Sequence, residues 1–188
     1  MAKINRIIIH CSDSEFGDAF LIDKWHKENG WKRIAYNDVV LNAYPTSEWV
    51  KQQLPQYHYV GSVHPGRTID ANDSLDGEEI GAHAKGFNAN SYGICMIGKA
   101  TFPNKQLNAT LDLIHYRLKQ FNLTSDSVFG HCELDPQKTC PNIDMNVFRH
   151  KLQNNSYYGQ VEQTAGEVKQ PSLLPAALNF LKSFLTRK

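Results

Sequence analysis

The sequence lacks both a long hydrophobic run and a strong net charge. The apolar run near the start, Ile7-Ile8-Ile9, is far shorter than the ~18–20 residues that span a membrane, and too short for the core of a secretory signal. Lys and Arg total 20 against 19 Asp and Glu, so the formal net charge is only +1. We therefore expect no transmembrane helix, no signal peptide and no binding of nucleic acid.

Cysteine is scarce as well, and its spacing is not that of a small disulfide-bonded scaffold. The four cysteines are Cys11, Cys95, Cys132 and Cys140. A chain of 188 residues can bury a sufficient core without disulfides, which favours a reducing compartment. Cys95 lies in an apolar run and is expected to be buried. Cys11 and Cys132 each follow a histidine, and on extended backbone they would point away from it.

Short apolar runs alternate with segments of helical periodicity. The segments that predict strands are 4–10, 36–41, 58–60, 67–70 and 91–98. The segments that predict helices are 19–29, 107–121 and 144–152, the last capped by Asp144. An insertion with two prolines occupies 42–56. This order predicts an α/β fold with a mixed central β-sheet, helices on both faces and a further amphipathic helix at the C-terminus.

The segment GHCELDPQKTCPNID, residues 130–144, carries the strongest chemical signal. It brings His131, Lys138 and Cys140 into one loop, and both imidazole and thiolate are good zinc ligands. A catalytic zinc site needs three protein ligands and one open position for water, and His10 at the end of the first apolar run is the best candidate for the third. The sequence therefore predicts a zinc hydrolase.

Several blocks of the sequence resemble the zinc-dependent N-acetylmuramoyl-L-alanine amidases of the type-2 family, which is related to the peptidoglycan-recognition proteins. The resemblance is greatest to the endolysins of tailed phages, and it covers about residues 4–152. The matching blocks, in order, are His10-Cys11-Ser12, residues 25–31, Ile34-Ala35-Tyr36-Asn37, residues 81–88, Ser91-Tyr92-Gly93-Ile94, Gly130-His131 and residues 138–142.

The resemblance implies Zn²⁺ as the cofactor and peptidoglycan as the substrate, cleaved at the amide between N-acetylmuramic acid and L-alanine. It implies His10, His131 and Cys140 as metal ligands and Tyr36 and Lys138 as catalytic residues. A lysine is suited to stabilising the oxyanion, and a tyrosine to orienting water or moving its proton. Tyr57-His58-Tyr59 offers a competing alignment for the tyrosine, but the distance of Tyr36 from Gly30-Trp31 fits the family better. His83, Lys85 and Asn88 are expected to bind substrate.

The predicted organisation is a zinc amidase catalytic domain at 1–153, a polar linker at 154–172 and an amphipathic helix at 173–188. This helix either packs on the domain or on a second copy, or contacts a membrane surface. We expect a monomer that stays in the cytoplasm until it is released to the cell wall. Two alternatives remain open: a cytoplasmic amidase that recycles muropeptides, and a non-catalytic peptidoglycan-binding module.

Overall fold

A five-stranded sheet forms the centre of the molecule, in the order β4-β3-β6-β2-β7. The computed structural model describes residues 2–70 and 72–159. All the strands, in chain order, are β1 (Ala2–Lys3), β2 (Arg6–Cys11), β3 (Asp38–Val40), β4 (Val63–Pro65), β5 (Ser74–Leu75), β6 (Ser91–Met96) and β7 (Val128–Gly130). Strands β3, β6, β2 and β7 are parallel, whereas β4 is an antiparallel edge and β1 pairs with β5 in a separate ribbon. The predicted mixed sheet is confirmed.

Helices cover both faces of this sheet. They are α1 (Ala19–Glu28), α2 (Ser47–Lys51), α3 (Asn104–Phe121), α4 (His131–Leu134) and α5 (Met145–Gln153). The Asp18 carboxylate caps α1 by accepting the Leu21 N–H, and Asp144 caps α5 as predicted. Caps of this kind satisfy backbone N–H groups that the first turn of a helix leaves without partners.

Alternation along β2 separates the hydrophobic core from the functional site. Ile7 and Ile9 are fully buried in the core cluster that includes α3 and α5. His10 is one residue out of phase with Ile9, so it projects from the opposite face, where α1 packs. The core thus fixes the backbone on which His10 stands.

Two of the predicted strands are wrong. Residues Tyr57–Tyr59 form a 3₁₀ turn, and the edge strand starts later, at Val63. Residues 67–70 form no strand, although Thr68 and Ile69 favour one. The guanidinium of Arg67 donates to the carbonyls of Ile34 and Glu78, and the Asp70 N–H donates to the Glu79 carboxylate. These side-chain contacts and one backbone hydrogen bond, from the Arg67 N–H to the Tyr36 carbonyl, therefore hold this segment without a strand ladder.

The described chain ends against α3. The predicted linker starts at residue 154, yet the Tyr157 hydroxyl donates to Asp112 and the Tyr158 N–H donates to Asn108. The rest of that linker and the predicted helix at 173–188 lie outside the described residues. Within 2–70 and 72–159, no helix is both long enough and apolar enough to cross a membrane.

Candidate metal centre

His10, His131 and Cys140 meet at the carboxyl end of the parallel strands. His10 lies near the end of β2, and His131 follows β7 directly. These two strands pair in parallel, with Ile9 opposite Gly130, so both histidines emerge at the same edge of the sheet. One ligand atom from each of the three side chains lies within 4.8 Å of the others. The structure thus brings together three residues that are far apart in sequence.

The donor set fits a zinc ion. His10 Nδ1 lies 3.8 Å from Cys140 Sγ, close to the ~3.5 Å that tetrahedral zinc imposes between a nitrogen and a sulfur ligand. The His10 and His131 rings are 4.6 Å apart at their centroids. His10 is buried, whereas His131 and Cys140 are half-buried, so the cluster opens to solvent on one side. Two nitrogens, one sulfur and an open side match a catalytic rather than a structural zinc site.

The electrostatics of the cluster keep the imidazoles neutral. Burial, followed by the charges of His83 and His131, lowers the pKa of His10 well below its usual value. Burial and the charge of Lys138 lower the pKa of His131. The hydrogen bond with the Cys11 side chain and burial raise the pKa of the Cys140 thiol. The Cys11 backbone N–H, which donates to the Cys140 sulfur at 3.0 Å, acts in the opposite direction and lowers this pKa, but it does not outweigh them. Both histidines are therefore in their metal-binding form at neutral pH, and the cysteine must lose a proton to bind.

Tyr36 lies against this cluster, whereas Tyr57 lies on the surface. Its ring centroid is 5.1 Å from that of His10. Burial, followed by neighbouring cysteines, raises the pKa of Tyr36, so its hydroxyl stays protonated and can donate a hydrogen bond. Tyr57, by contrast, is 71% exposed, and its carbonyl faces Lys105 of α3.

Lys138 is exposed in the loop between α4 and Cys140, and its positive charge contributes to the lowered pKa of His131. The loop therefore carries a cation near His131.

A family model described as N-acetylmuramoyl-L-alanine amidase matches residues 1–143. The chain belongs to this amidase family. It is 27% identical over 160 residues to an endolysin of Klebsiella phage KP32, covering 79% of this chain and 87% of that one. It is also 27% identical over 156 residues to the endolysin of Escherichia phage T7, covering 77% and 85%. The family and enzyme class predicted from the sequence are confirmed.

The fold of the amidase also has solved relatives. The N-acetylmuramoyl-L-alanine amidase LysC from Clostridium intestinale URNW superposes with a TM-score of 0.61 at 22% identity, covering 82% of this chain and 87% of LysC. At this identity the likeness supports the fold, and the predicted architecture of a central sheet between helices is confirmed.

A salt bridge that the sequence did not predict holds His131 in place. The Glu133 carboxylate accepts the Gly130 N–H at 2.8 Å and two hydrogen bonds from Arg149 of α5, at 2.7 and 2.8 Å. This contact with Arg149 is the main cause of the lowered pKa of Glu133. Bidentate pairing of this kind restricts orientation more than a single contact does, so it fixes α4, which begins at His131, against α5.

The three residues predicted to bind substrate lie in different surroundings. His83 is 6% exposed and lies 3.0 Å from His10, Nδ1 to Nε2. The Asn88 side chain accepts the N–H groups of His83 and Ala84, so it holds the local turn. Lys85 is exposed. Their contact with substrate remains a prediction.

The insertion at 42–56 builds a recess at the same end of the sheet. Together with the loop after β6, it lines a cavity of about 800 Å³. The loop contributes Lys99, whose carbonyl accepts a hydrogen bond of 2.7 Å from Asn142, and Asn142 also contacts Cys11 beside the cluster. Asn142 therefore links this recess to Cys11, which follows the ligand residue His10.

Proposed function

We propose that the amidase uses a zinc ion held by His10, His131 and Cys140 to hydrolyse the amide bond between N-acetylmuramic acid and L-alanine in bacterial peptidoglycan. The observation that carries this proposal is the convergence of three ligand atoms within 4.8 Å. Tyr36 and Lys138 lie next to the same cluster. A metal site with a structural role does not need a protonated tyrosine or a lysine beside it. Amide hydrolysis can use both, the tyrosine to handle a proton and the lysine to stabilise the oxyanion.

The residues of the amidase divide the chemistry between them. Zinc, when bound, acidifies water to a pKa of roughly 7 and so provides a nucleophile at neutral pH. Lys138 stabilises the oxyanion that develops on the substrate carbonyl, because a lysine supplies positive charge without a proton transfer. Tyr36 orients the attacking water or passes its proton to the leaving L-alanine nitrogen. Neutral His10 and His131 keep the lone pairs that hold the metal.

The biological setting that we propose is that of a phage or prophage endolysin. The matched relatives of phages KP32 and T7 are named endolysins and are matched over most of their length. In this setting the amidase is a monomer that stays in the cytoplasm until it reaches the cell wall, where polymeric peptidoglycan is its substrate.

Mass spectrometry of digested, purified peptidoglycan tests this function. The expected products are stem peptides with a free N-terminal L-alanine and glycan strands without peptide. A parallel digest of soluble muropeptides separates an endolysin, which acts on the polymer, from a recycling amidase, which prefers the fragments. Products cut at a glycosidic or peptide bond would refute the assigned reaction, and intact polymer after incubation with folded, zinc-loaded protein would favour a binding module.

The affinity for zinc is expected to rise about tenfold per pH unit between about pH 6.5 and 8.5. The lowered pKa values of His10 and His131 leave them neutral in this range, whereas the raised pKa of Cys140 leaves one proton to be released when zinc binds. Competition with a chelator of known affinity measures the slope. A flat profile would show that Cys140 is already a thiolate, and a slope of two would show that a histidine is still protonated.

The predicted C-terminal helix is proposed to contact an anionic membrane surface, on sequence alone. Its apolar positions are interrupted by Lys182, Arg187 and Lys188, and residues 173–188 contain no acidic residue. Deletion of residues 171–188 is expected to spare the hydrolysis of isolated peptidoglycan and to reduce the lysis of intact cells. An equal loss in both assays would instead make the segment part of the catalytic fold.

A further inference from the structure

His83 is a buried histidine that takes no part in the proposed chemistry, yet both of its ring nitrogens have partners. Nδ1 lies 3.0 Å from His10 Nε2, and Nε2 lies 3.4 Å from the Ser91 hydroxyl. The Ser91 hydroxyl in turn lies 2.7 Å from the carbonyl oxygen of Phe87. These contacts form a chain that runs from a backbone carbonyl to His10.

The carbonyl of Phe87, at one end of this chain, sets the direction of every hydrogen bond in it. A carbonyl can only accept, so the Ser91 hydroxyl donates its proton to Phe87. The Ser91 oxygen is then left to accept, which places the His83 proton on Nε2. His83 Nδ1 consequently accepts, and His10 must donate from Nε2. His10 Nδ1 is left with a free lone pair, and this is the atom 3.8 Å from Cys140 Sγ.

The surroundings of His83 are shaped to hold the ring in this place. A side chain at Gly93 would put its Cβ 2.8 Å from the His83 ring, and one at Gly81 would put it 2.7 Å away. The side-chain amide oxygen Oδ1 of Asn88 accepts the backbone N–H of His83 at 3.0 Å. Gly81 and Gly93 therefore leave the space that the His83 imidazole fills, and the turn held by Asn88 fixes the His83 backbone.

We infer that His83 is a positioning residue: by accepting the Nε2 proton of His10, it holds His10 in the tautomer and orientation that turn Nδ1 towards the metal. The inference rests on the proposed metal site. Metal-binding histidines commonly donate their second ring N–H to a fixed acceptor, and loss of such an acceptor typically weakens metal binding about 10- to 100-fold. Here the acceptor is a second histidine, which is itself oriented by Ser91 and the Phe87 carbonyl.

The tautomer of His10 can be measured without metal. Long-range ¹H–¹⁵N NMR of the metal-free wild type is expected to show the His10 proton on Nε2 and the His83 proton on Nε2. In His83→Ala, His10 is expected to populate both tautomers. A His10 proton on Nδ1 in the wild type, or an unchanged single tautomer in His83→Ala, would overturn the inference.

Zinc affinity, measured by competition with a chelator, gives the second readout. His83→Ala is expected to bind zinc about 10- to 100-fold more weakly. His83→Asn is expected to recover most of this loss, because its Oδ1 can replace Nδ1 as the acceptor. His115→Ala removes a histidine that bonds the Leu152 carbonyl instead and should leave the affinity unchanged. Equal losses in the Ala and Asn variants would mean that His83 only fills space. A wild type without zinc would refute the proposed function, while the tautomer result would still decide the role of His83.

Discussion

Cys140→Ser is expected to abolish both stable zinc binding and amidase activity. A thiolate is a strong zinc ligand, whereas a serine hydroxyl does not ionise at neutral pH and is a poor one. The substitution would leave two histidines, which do not make a catalytic zinc site. The loss of zinc affinity should exceed the roughly 100-fold that follows when a residue hydrogen-bonded to a metal ligand is removed. Activity should fall to background. Metal analysis after gel filtration and the rate of peptidoglycan digestion measure the two effects.

The matched control is Cys132→Ser, which makes the same chemical change in the neighbouring helix α4. Cys132 is half-buried and is not part of the metal-binding group, so this variant should keep one zinc per chain and full activity. If Cys140→Ser kept stoichiometric zinc, the cysteine ligand would be wrongly assigned. If Cys132→Ser lost zinc instead, the ligand would be Cys132 of α4.

Lys138→Ala is expected to keep zinc and to lose about 10²–10³ in kcat, the usual effect of removing one group that stabilises an oxyanion. Lys138 is exposed and is not among the three ligand residues, so the fold and the metal should be unaffected. The charge acts on the transition state and little on the bound substrate, so KM should change far less than kcat. Steady-state kinetics on purified peptidoglycan, at several concentrations of stem peptide, measures the two constants separately.

Lys85→Ala gives the contrasting result. Lys85 is also an exposed lysine, and if it binds substrate as predicted, its loss should raise KM and leave kcat nearly unchanged. For Lys138→Ala, a loss of zinc would mean that Lys138 supports the metal site. An unchanged kcat in Lys138→Ala would mean that Lys138 takes no part in the reaction.

The candidate site could be predicted partly from local patterns and partly from the resemblance to the amidase family. His10 ends an apolar strand, and His131 and Cys140 share one loop with Lys138. Residues at the carboxyl ends of neighbouring parallel strands are brought together by any sheet of this type. The structure supplies the strand order, which the sequence did not predict, and places β2 beside β7. Tyr36 was preferred to Tyr57 because its distance from Gly30-Trp31 fits the family that the sequence resembles, and the structure places Tyr36 beside His10.

The features that the sequence could not predict depend on contacts between distant residues. The partner of His83 is His10, 73 residues away, and Glu133 meets Arg149 across two helices. The failed strand at 67–70 has the same cause, because the hydrogen bonds of Arg67 to Ile34 and Glu78 override the local preference of Thr68 and Ile69. A signal for His83 did exist: Gly81 and Gly93 leave room for a ring, although only the fold shows which ring fills it.

The most direct test of zinc-dependent catalysis is the digestion of purified peptidoglycan by the wild type before chelation, after chelation, and after one equivalent of zinc is restored. Release of stem peptides with free N-terminal L-alanine should stop on chelation, return with zinc, and be absent in Cys140→Ser under all three conditions. Undiminished release by protein shown to contain no metal would contradict the account, because His10, His131 and Cys140 would then have no metal to hold during the reaction.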